Sequence, residues 1–269
     1  MISIITISYN QNAYLEQAIL SVTTQAKVPL QYIVVDAQST DGSLDIIRNH
    51  RKSISDLVVG KDEGPADGLN RGLSLVKGEI FGYLNADDYL LPGSLSEVVE
   101  SFANTDADAI SGNGYLVNEI KETCQRFVSA RFNKRRFALG ACPVLQQSTF
   151  FRSALIDEGF RFNVLNKTCW DSEFLYSIGT HGKSIRHINK YWSCFRIHGS
   201  SITGSQSQGG RYASDQERYL GPEYLRYGRA LPVAQKWARI EKVLVQPSIA
   251  VAMLADKFAP ITRPRVVGR

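Results

Sequence analysis

Short apolar runs alternate with segments of helical spacing over the first 111 residues. Ile2–Ile7 is β-branched and predicts a strand, and Leu15, Ala18, Ile19 and Val22 then recur at the helical period. Tyr32–Asp36 predicts a second strand that ends on a carboxylate. Asp41-Gly42-Ser43 supplies a turn and cap before the helical Leu44–Arg48. Leu57–Val59 reads as a third strand, Pro65–Val76 as a helix with proline near its start, and Glu79–Leu84 as a fourth strand. Leu95–Phe102 and Ala107–Ser111 add a helix and a fifth strand. Strand and helix in alternation predict an α/β fold, a mostly parallel doubly wound sheet with helices on both faces.

Beyond residue 112 the pattern loosens. Tyr115–Val117 and Cys124–Val128 read as a hairpin, Asp171–Ile178 as a helix, and Ser184–Ile188 and Trp192–Ile197 as strands. A Gly/Ser-rich link, Gly199–Gly210, leads into helices around Asp215–Arg226, Val233–Val243 and Ile249–Phe258. Three segments follow: 1–111, 112–204 as the second half of the same domain, and a helical extension over 205–269.

In an open parallel sheet the ligand lies beyond the carboxyl ends of the strands. Polar clusters stand at those ends: Ser8-Tyr9-Asn10, Asp36, Lys61-Asp62-Glu63 and Asn85-Ala86-Asp87-Asp88. Two adjacent carboxylates repel unless a cation or donor joins them, and Mg²⁺ or Mn²⁺ typically combines one or two carboxylates with substrate phosphates. The competing reading of Asp87-Asp88 is an Asx turn ahead of the helix that Pro92-Gly93-Ser94 opens.

Composition is that of an ordinary globular chain, 43% hydrophobic and 21% charged. The four cysteines form no C-x-x-C pair, which argues against structural zinc and for reduced thiols in a cytoplasmic protein. The first residues read as a strand rather than a leader, and no apolar run approaches the ~18 residues of a membrane span. The net charge of +5 sits in the extension, where residues 205–269 hold 11 Lys/Arg against 5 Asp/Glu. An anionic membrane surface suits that distribution, and the reading assigns no nucleic acid partner. Neither G-x-G-x-x-G after the first strand nor a P-loop occurs, so dehydrogenase and P-loop chemistries have no support.

Thr6-Ile7-Ser8-Tyr9-Asn10 followed by Val34-Val35-Asp36-Ala37-Gln38-Ser39-Thr40-Asp41-Gly42-Ser43 resembles the opening of family 2 inverting glycosyltransferases. Asp62–Gly72 is similar to that family's D-x-G-x-x-D-x-x-N-x-G block, and Leu84–Asp88 to its L-N-x-D-D form of the metal motif. The resemblance covers about residues 1–110 and is to transferases of O-antigen, capsule and exopolysaccharide assembly. It implies a GT-A fold, with 1–111 as the nucleotide-sugar-binding half and 112–204 as the acceptor and catalytic half. Ser8, Tyr9 and Asn10 would line the nucleotide pocket, with Tyr9 stacked on the base. Asp36 would accept a base N3–H, which favours UDP or dTDP. Asp62, Asp67, Asn70 and Arg71 would serve base, ribose and diphosphate, with Asn85 and Asp87 beside them. Asp88, with Asp87, would hold a divalent cation, Mn²⁺ or Mg²⁺.

Inverting transfer needs a base for the acceptor hydroxyl, and a carboxylate suits it. Trp170-Asp171-Ser172-Glu173 resembles the family's base segment with Asp171 in that place, although Trp170 stands where many members carry Glu. Helix N-cap is the other reading of Asp171. Gln147, Trp170, Arg196 and His198 are expected on the donor-sugar and acceptor side. His198 is read either as reaching the metal or diphosphate, or as a structural hydrogen-bonder; its context is the stretch Arg196–Thr203. The expected partners are a nucleotide-sugar donor and a glycan or lipid-linked saccharide acceptor, with room for an oligomer. Residues 230–269 are read as a peripheral contact with the inner face of the cytoplasmic membrane, or as helices packed on the domain. A non-catalytic nucleotide-sugar or glycan-binding module on the same fold is the alternative function.

Overall fold

The computed structural model describes residues 1–25, 28–201, 209–258, 261 and 264. Strands β1 (Ile2–Ser8), β2 (Leu30–Asp36), β3 (Asp56–Val59) and β4 (Ile80–Asn85) lie parallel in the order β3-β2-β1-β4. Helices α1 (Asn12–Thr23), α2 (Ser43–Asn49) and α3 (Pro65–Leu73) make the crossovers. Alternation along each strand divides the core between two faces. Ile2, Ile4, Tyr32, Val34 and Leu84 pack with Leu15, Ile19 and Ile47 on one face. Ile5, Ile33, Val35 and Phe81 pack with Leu69 and Leu73 on the other. Both faces are covered, which is why these strands read as unbroken apolar runs. Helix α3 sits so close to β1 that a Cβ on Gly72 would lie 2.5 Å from Ile5 Cγ2.

The fifth strand departs from expectation in its neighbours. Between β4 and β6 (Ala109–Asn118) the chain inserts β8 (Thr149–Arg152), antiparallel to both. β6 carries the expected hairpin with β7 (Thr123–Phe127). The two expected strands after residue 184 are one long strand, β9 (Ile185–Ile197), parallel to β6 with its register slipping between Ser111 and Gly114. A two-residue strand, β5 (Tyr89–Leu90), closes on β9. β1–β4, β6 and β9 share one direction, so the sheet is mostly parallel with antiparallel insertions. β6 runs through 111 and 112, so the two halves form one continuous sheet.

Helices α4 (Ser94–Ala103), α5 (Lys134–Ala138), α6 (Ala154–Asp157) and α7 (Trp170–Thr180) complete the domain, followed by α8 (Gly209–Tyr227), α9 (Leu231–Val245) and α10 (Ser248–Phe258). The extension is docked on residues 129–142. Ala238 of α9 packs with Leu139 and Ala141, and Ile249 of α10 with Ala130 and Cys142. Between them the Gln246 amide donates to Ser129 O (3.0 Å) and accepts from Arg131 N–H (2.7 Å).

Candidate active site

The carboxyl ends of β1–β4 and the first turn of α7 face one another across a cavity of about 760 Å³. Ser8, Tyr9, Ala37, Gln38, Lys61 and Asp62 line it from the first three strand ends, with Asn85 and Asp87 after β4. Gln146, Gln147, Thr168, Trp170, Asp171 and Ser200 close it from the second half of the domain. Three buried polar atoms of its wall, Ser8 Oγ, Asn85 Oδ1 and Trp170 Nε1, have no hydrogen-bond partner among the described residues. Buried polar groups are nearly always paired, so a cavity edged by orphans is shaped for a polar ligand.

The paired carboxylates differ sharply. Asp87 lines the cavity, and His198 Nε2 lies 3.1 Å from its Oδ2. Ser200 Oγ meets His198 Nδ1 at 2.9 Å and fixes the ring orientation. Asp88, expected as the principal metal ligand, is buried, with both oxygens committed inside the protein. Its Oδ1 accepts Arg196 N–H (2.9 Å) and its Oδ2 accepts Gln147 Nε2–H (2.6 Å). Burial, then the neighbouring Asp87, pushes the Asp88 carboxyl well above the usual carboxylate range against those hydrogen bonds. The cavity-facing member of the pair is Asp87. Arg196, expected on the sugar side, is 1% exposed and absent from the cavity wall. Its guanidinium bonds Asp87 O (2.7 Å), Glu119 (2.8 Å) and Gln17, and lies 4.5 Å from the Tyr14 ring centroid. It braces the Asp87-Asp88 turn.

Several expected nucleotide contacts are internal for similar reasons. Asp36 is fully buried and accepts both the N–H and the hydroxyl of Ser39 (2.7 Å each), so its carboxylate does not face the cavity; Ala37 and Gln38 do. Asn10 takes the left-handed backbone (φ 52°) and accepts Thr40 N–H, tying the β1–α1 turn to the β2–α2 loop. Asn70 exchanges two hydrogen bonds with the Phe162 backbone (2.8 and 2.9 Å). Asp67 and Arg71 pair one helical turn apart at 2.8 Å, outside the cavity wall. Tyr9, by contrast, is 62% exposed and lines the cavity. Asp62 lines the wall and accepts Gly64 N–H (2.9 Å), while burial pushes its carboxyl upward. Among the residues lining the cavity the cation is Lys61, which the strand-end position marks.

Asp171 lies in the first turn of α7, but Cys169 occupies the cap position and makes no side-chain cap bond. Burial raises the Asp171 carboxyl, opposed by the backbone N–H groups of Ser172 and Asp171. Glu173 points elsewhere, accepting the amides of Asn163 and Asn166 at 2.8 Å each. One carboxylate on this wall therefore remains for chemistry.

Among the described residues no cluster of three or more His, Cys, Asp and Glu side chains forms a metal cage. The Asp87–His198 pair nevertheless fits a hard cation shared with a ligand's phosphates. Adjacent ligands of an octahedral ion bound at ~2.1 Å stand roughly 3 Å apart, and Asp87 Oδ2 and His198 Nε2 are 3.1 Å apart. The unpartnered Asn85 Oδ1 lies two residues before Asp87. Ile202, Thr203, Arg263, Arg265 and Arg269, and the side chain of Lys257, lie outside the described residues.

A sequence profile described as Glycosyl transferase family 2 matches residues 3–157. The chain belongs to glycosyl transferase family 2. An uncharacterized glycosyltransferase of Nostoc sp. is 26% identical over 212 residues, 74% of this chain and 66% of that protein. The GalNAc(5)-diNAcBac-PP-undecaprenol beta-1,3-glucosyltransferase of Campylobacter jejuni is 30% identical over 205 residues, 73% of this chain and 64% of that protein. Among solved structures, S. aureus TarS in complex with UDP-GlcNAc superposes with a TM-score of 0.68 at 20% identity, covering 83% of this chain and 66% of that one. The mannosyltransferase PcManGT of Pyrobaculum calidifontis, in complex with GDP-Man and Mn²⁺, gives 0.59 at 17% identity, covering 97% of this family 2 chain and 76% of that one. The chain thus spans just under two thirds of the length of the two curated relatives. The family 2 chain has the GT-A type of α/β fold that its sequence implied, with a C-terminal helical extension.

Proposed function

We propose that the chain is an inverting glycosyltransferase that moves a sugar from a nucleoside diphosphate sugar, a UDP-sugar, to a hydroxyl of a glycan or lipid-linked saccharide in surface polysaccharide assembly. One observation carries this reading. A single cavity sets Tyr9, Lys61, Asp62 and Asp87 on a ledge opposite Asp171, whose carboxyl meets only backbone N–H groups of its own helix turn. With Asp36 enclosed, the preference for UDP draws on the likeness to TarS rather than on a base-reading carboxylate. The Campylobacter jejuni relative's lipid-linked acceptor supports the acceptor class.

Tyr9 stacks on the base, Asp62 takes ribose hydroxyls, and Lys61 offsets diphosphate charge. Gln147 and the Trp170 indole N–H face the donor sugar. Asp171 accepts the acceptor's hydroxyl proton as that oxygen bonds to C1 of the sugar. The C1–O bond to the diphosphate breaks on the opposite face, and its electron pair leaves on the nucleoside diphosphate. Asp87 and His198 would hold a divalent cation, Mn²⁺ or Mg²⁺, which when bound would supply charge neutralisation at that leaving group.

Thermal unfolding with UDP, dTDP, GDP or CMP, each with and without Mn²⁺, tests the reading. At a hundred times its Kd a ligand stabilises by about 2.7 kcal/mol, or roughly 5–10 °C for a domain of this size. UDP with Mn²⁺ gives that rise. Silence toward every nucleotide refutes the function, and an equal rise without metal refutes the cation site.

Helix α9 supports a membrane contact. Val233, Trp237, Ile240 and Leu244 share one helix face turned away from Ala238, with Trp237 64% and Leu244 75% exposed. Lys236 borders that stripe with Arg239 beyond it on the same side, and no described helix is long and apolar enough to cross a bilayer. An exposed apolar stripe bordered by basic residues suits the interface of an anionic leaflet. Trp237→Ser with Leu244→Ser cuts co-sedimentation with phosphatidylglycerol vesicles at least fivefold; undiminished pelleting removes α9 from the membrane.

A further inference from the structure

The loop before α7 sets the height of the cavity wall, because Thr168, Trp170 and Asp171 all lie in that wall. From below it is tied by Glu173, which takes the Asn163 and Asn166 amides, and by Asn166 Oδ1, which accepts Thr168 and Cys169 N–H (3.2 and 2.9 Å). The other tie comes from the extension. Asp215 of α8, 4% exposed, takes Lys167 N–H (3.0 Å) and the Thr168 hydroxyl (2.8 Å), both on Oδ2. Its Oδ1 pairs with Arg218 on the next turn. The Lys167 side chain then reaches across to the Glu63 carbonyl, on the nucleotide side. Burying a carboxylate is costly unless donors surround it, and here two of the three donors belong to a loop 47 and 48 residues away.

We infer that Asp215 is a positioning residue for transfer: through Lys167 and Thr168 it holds the wall carrying Trp170 and Asp171 at its working distance from the donor, making α8 part of the catalytic unit. The inference rests on the proposed role of Asp171. Asp215 itself lies outside the cavity wall.

The geometry supplies a discriminating pair of variants. In Asp215→Asn the amide oxygen in the Oδ2 place still accepts both loop donors, while the amide nitrogen faces Arg218 and loses the ion pair. In Asp215→Ala both functions go. The measurements are UDP affinity by calorimetry with Mn²⁺, and UDP release from UDP-glucose and UDP-GlcNAc with water as acceptor, on the full chain. Asp215→Ala slows release at least tenfold with UDP affinity within twofold of wild type, and Asp215→Asn restores release to within threefold. Loss in Asn as deep as in Ala assigns Asp215 to the Arg218 ion pair and overturns the inference. So does an unchanged rate in Ala, or a UDP affinity that falls in step with the rate. A wild-type chain that binds UDP yet releases none from either donor overturns the proposed transfer itself, and the inference with it.

Discussion

Asp171→Asn abolishes sugar transfer while UDP binding persists. The amide cannot take the acceptor proton, and a positioned base contributes roughly 10²- to 10⁴-fold. Among the described residues no other carboxylate on that wall substitutes, because Glu173 is held by two asparagine amides. Calorimetric UDP affinity alongside steady-state kcat separates the two effects, and retained turnover would remove Asp171 from its role. The wild-type pH profile carries a related signature. Burial holds the Asp171 carboxyl above the ordinary range, so the base becomes protonated, and the rate falls, at a pH above the usual carboxylate value of about 4. The same shift has a sign for stability. The unfolded chain ionises Asp171 more readily than the folded one. The carboxylate therefore opposes folding near neutral pH, and that cost fades as pH falls through the folded value and is gone below the unfolded one. Asp171→Asn thus unfolds at a higher temperature than wild type at pH 7, and at the same temperature near pH 3.

Asp87→Ala lowers turnover about a thousandfold, corresponding to the loss of ~4 kcal/mol of charge stabilisation at the leaving diphosphate. It also removes the Mn²⁺ dependence of nucleotide binding, which a titration of UDP with and without metal reads directly. The neighbouring carboxylate behaves differently. Asp88 holds Arg196 N–H and Gln147 rather than the cavity, so Asp88→Asn retains Mn²⁺-dependent UDP binding. If Asp88→Asn loses the metal response while Asp87→Ala keeps it, the ligand assignment reverses.

The contrast between these two aspartates shows what the sequence made legible. Strand ends and their polar clusters follow from local periodicity, and the ledge of Ser8, Tyr9, Asp62 and Asp87 lies where the pattern put it. Which member of a cluster faces the cavity depends on partners far away in the chain. Arg196 is drawn inward by Gln17, 179 residues earlier, and Asn70 by Phe162, 92 residues later. Asp36 is silenced by Ser39, three residues on, but only because the loop curls back over the strand end. Thr149-Phe150-Phe151-Arg152 is too short an apolar run for its period to distinguish strand from helix, so β8 escaped notice as a strand. Thr168 carried no motif at all, and Gln38 sat inside a motif block without a role of its own.

The insertion of β8 between β4 and β6 also governs how the protein comes to be made. Residues 80–85 and 109–118 cannot complete their pairing until residues 149–152 exist, and β6 then awaits residues 185–197 on its other side. A nascent chain that has just delivered its nucleotide ledge therefore presents unsatisfied strand edges as synthesis continues. Such non-local pairing slows folding, and bare edges invite association with other chains. During biosynthesis the ledge is assembled early and stays vulnerable until the catalytic wall arrives to seal it.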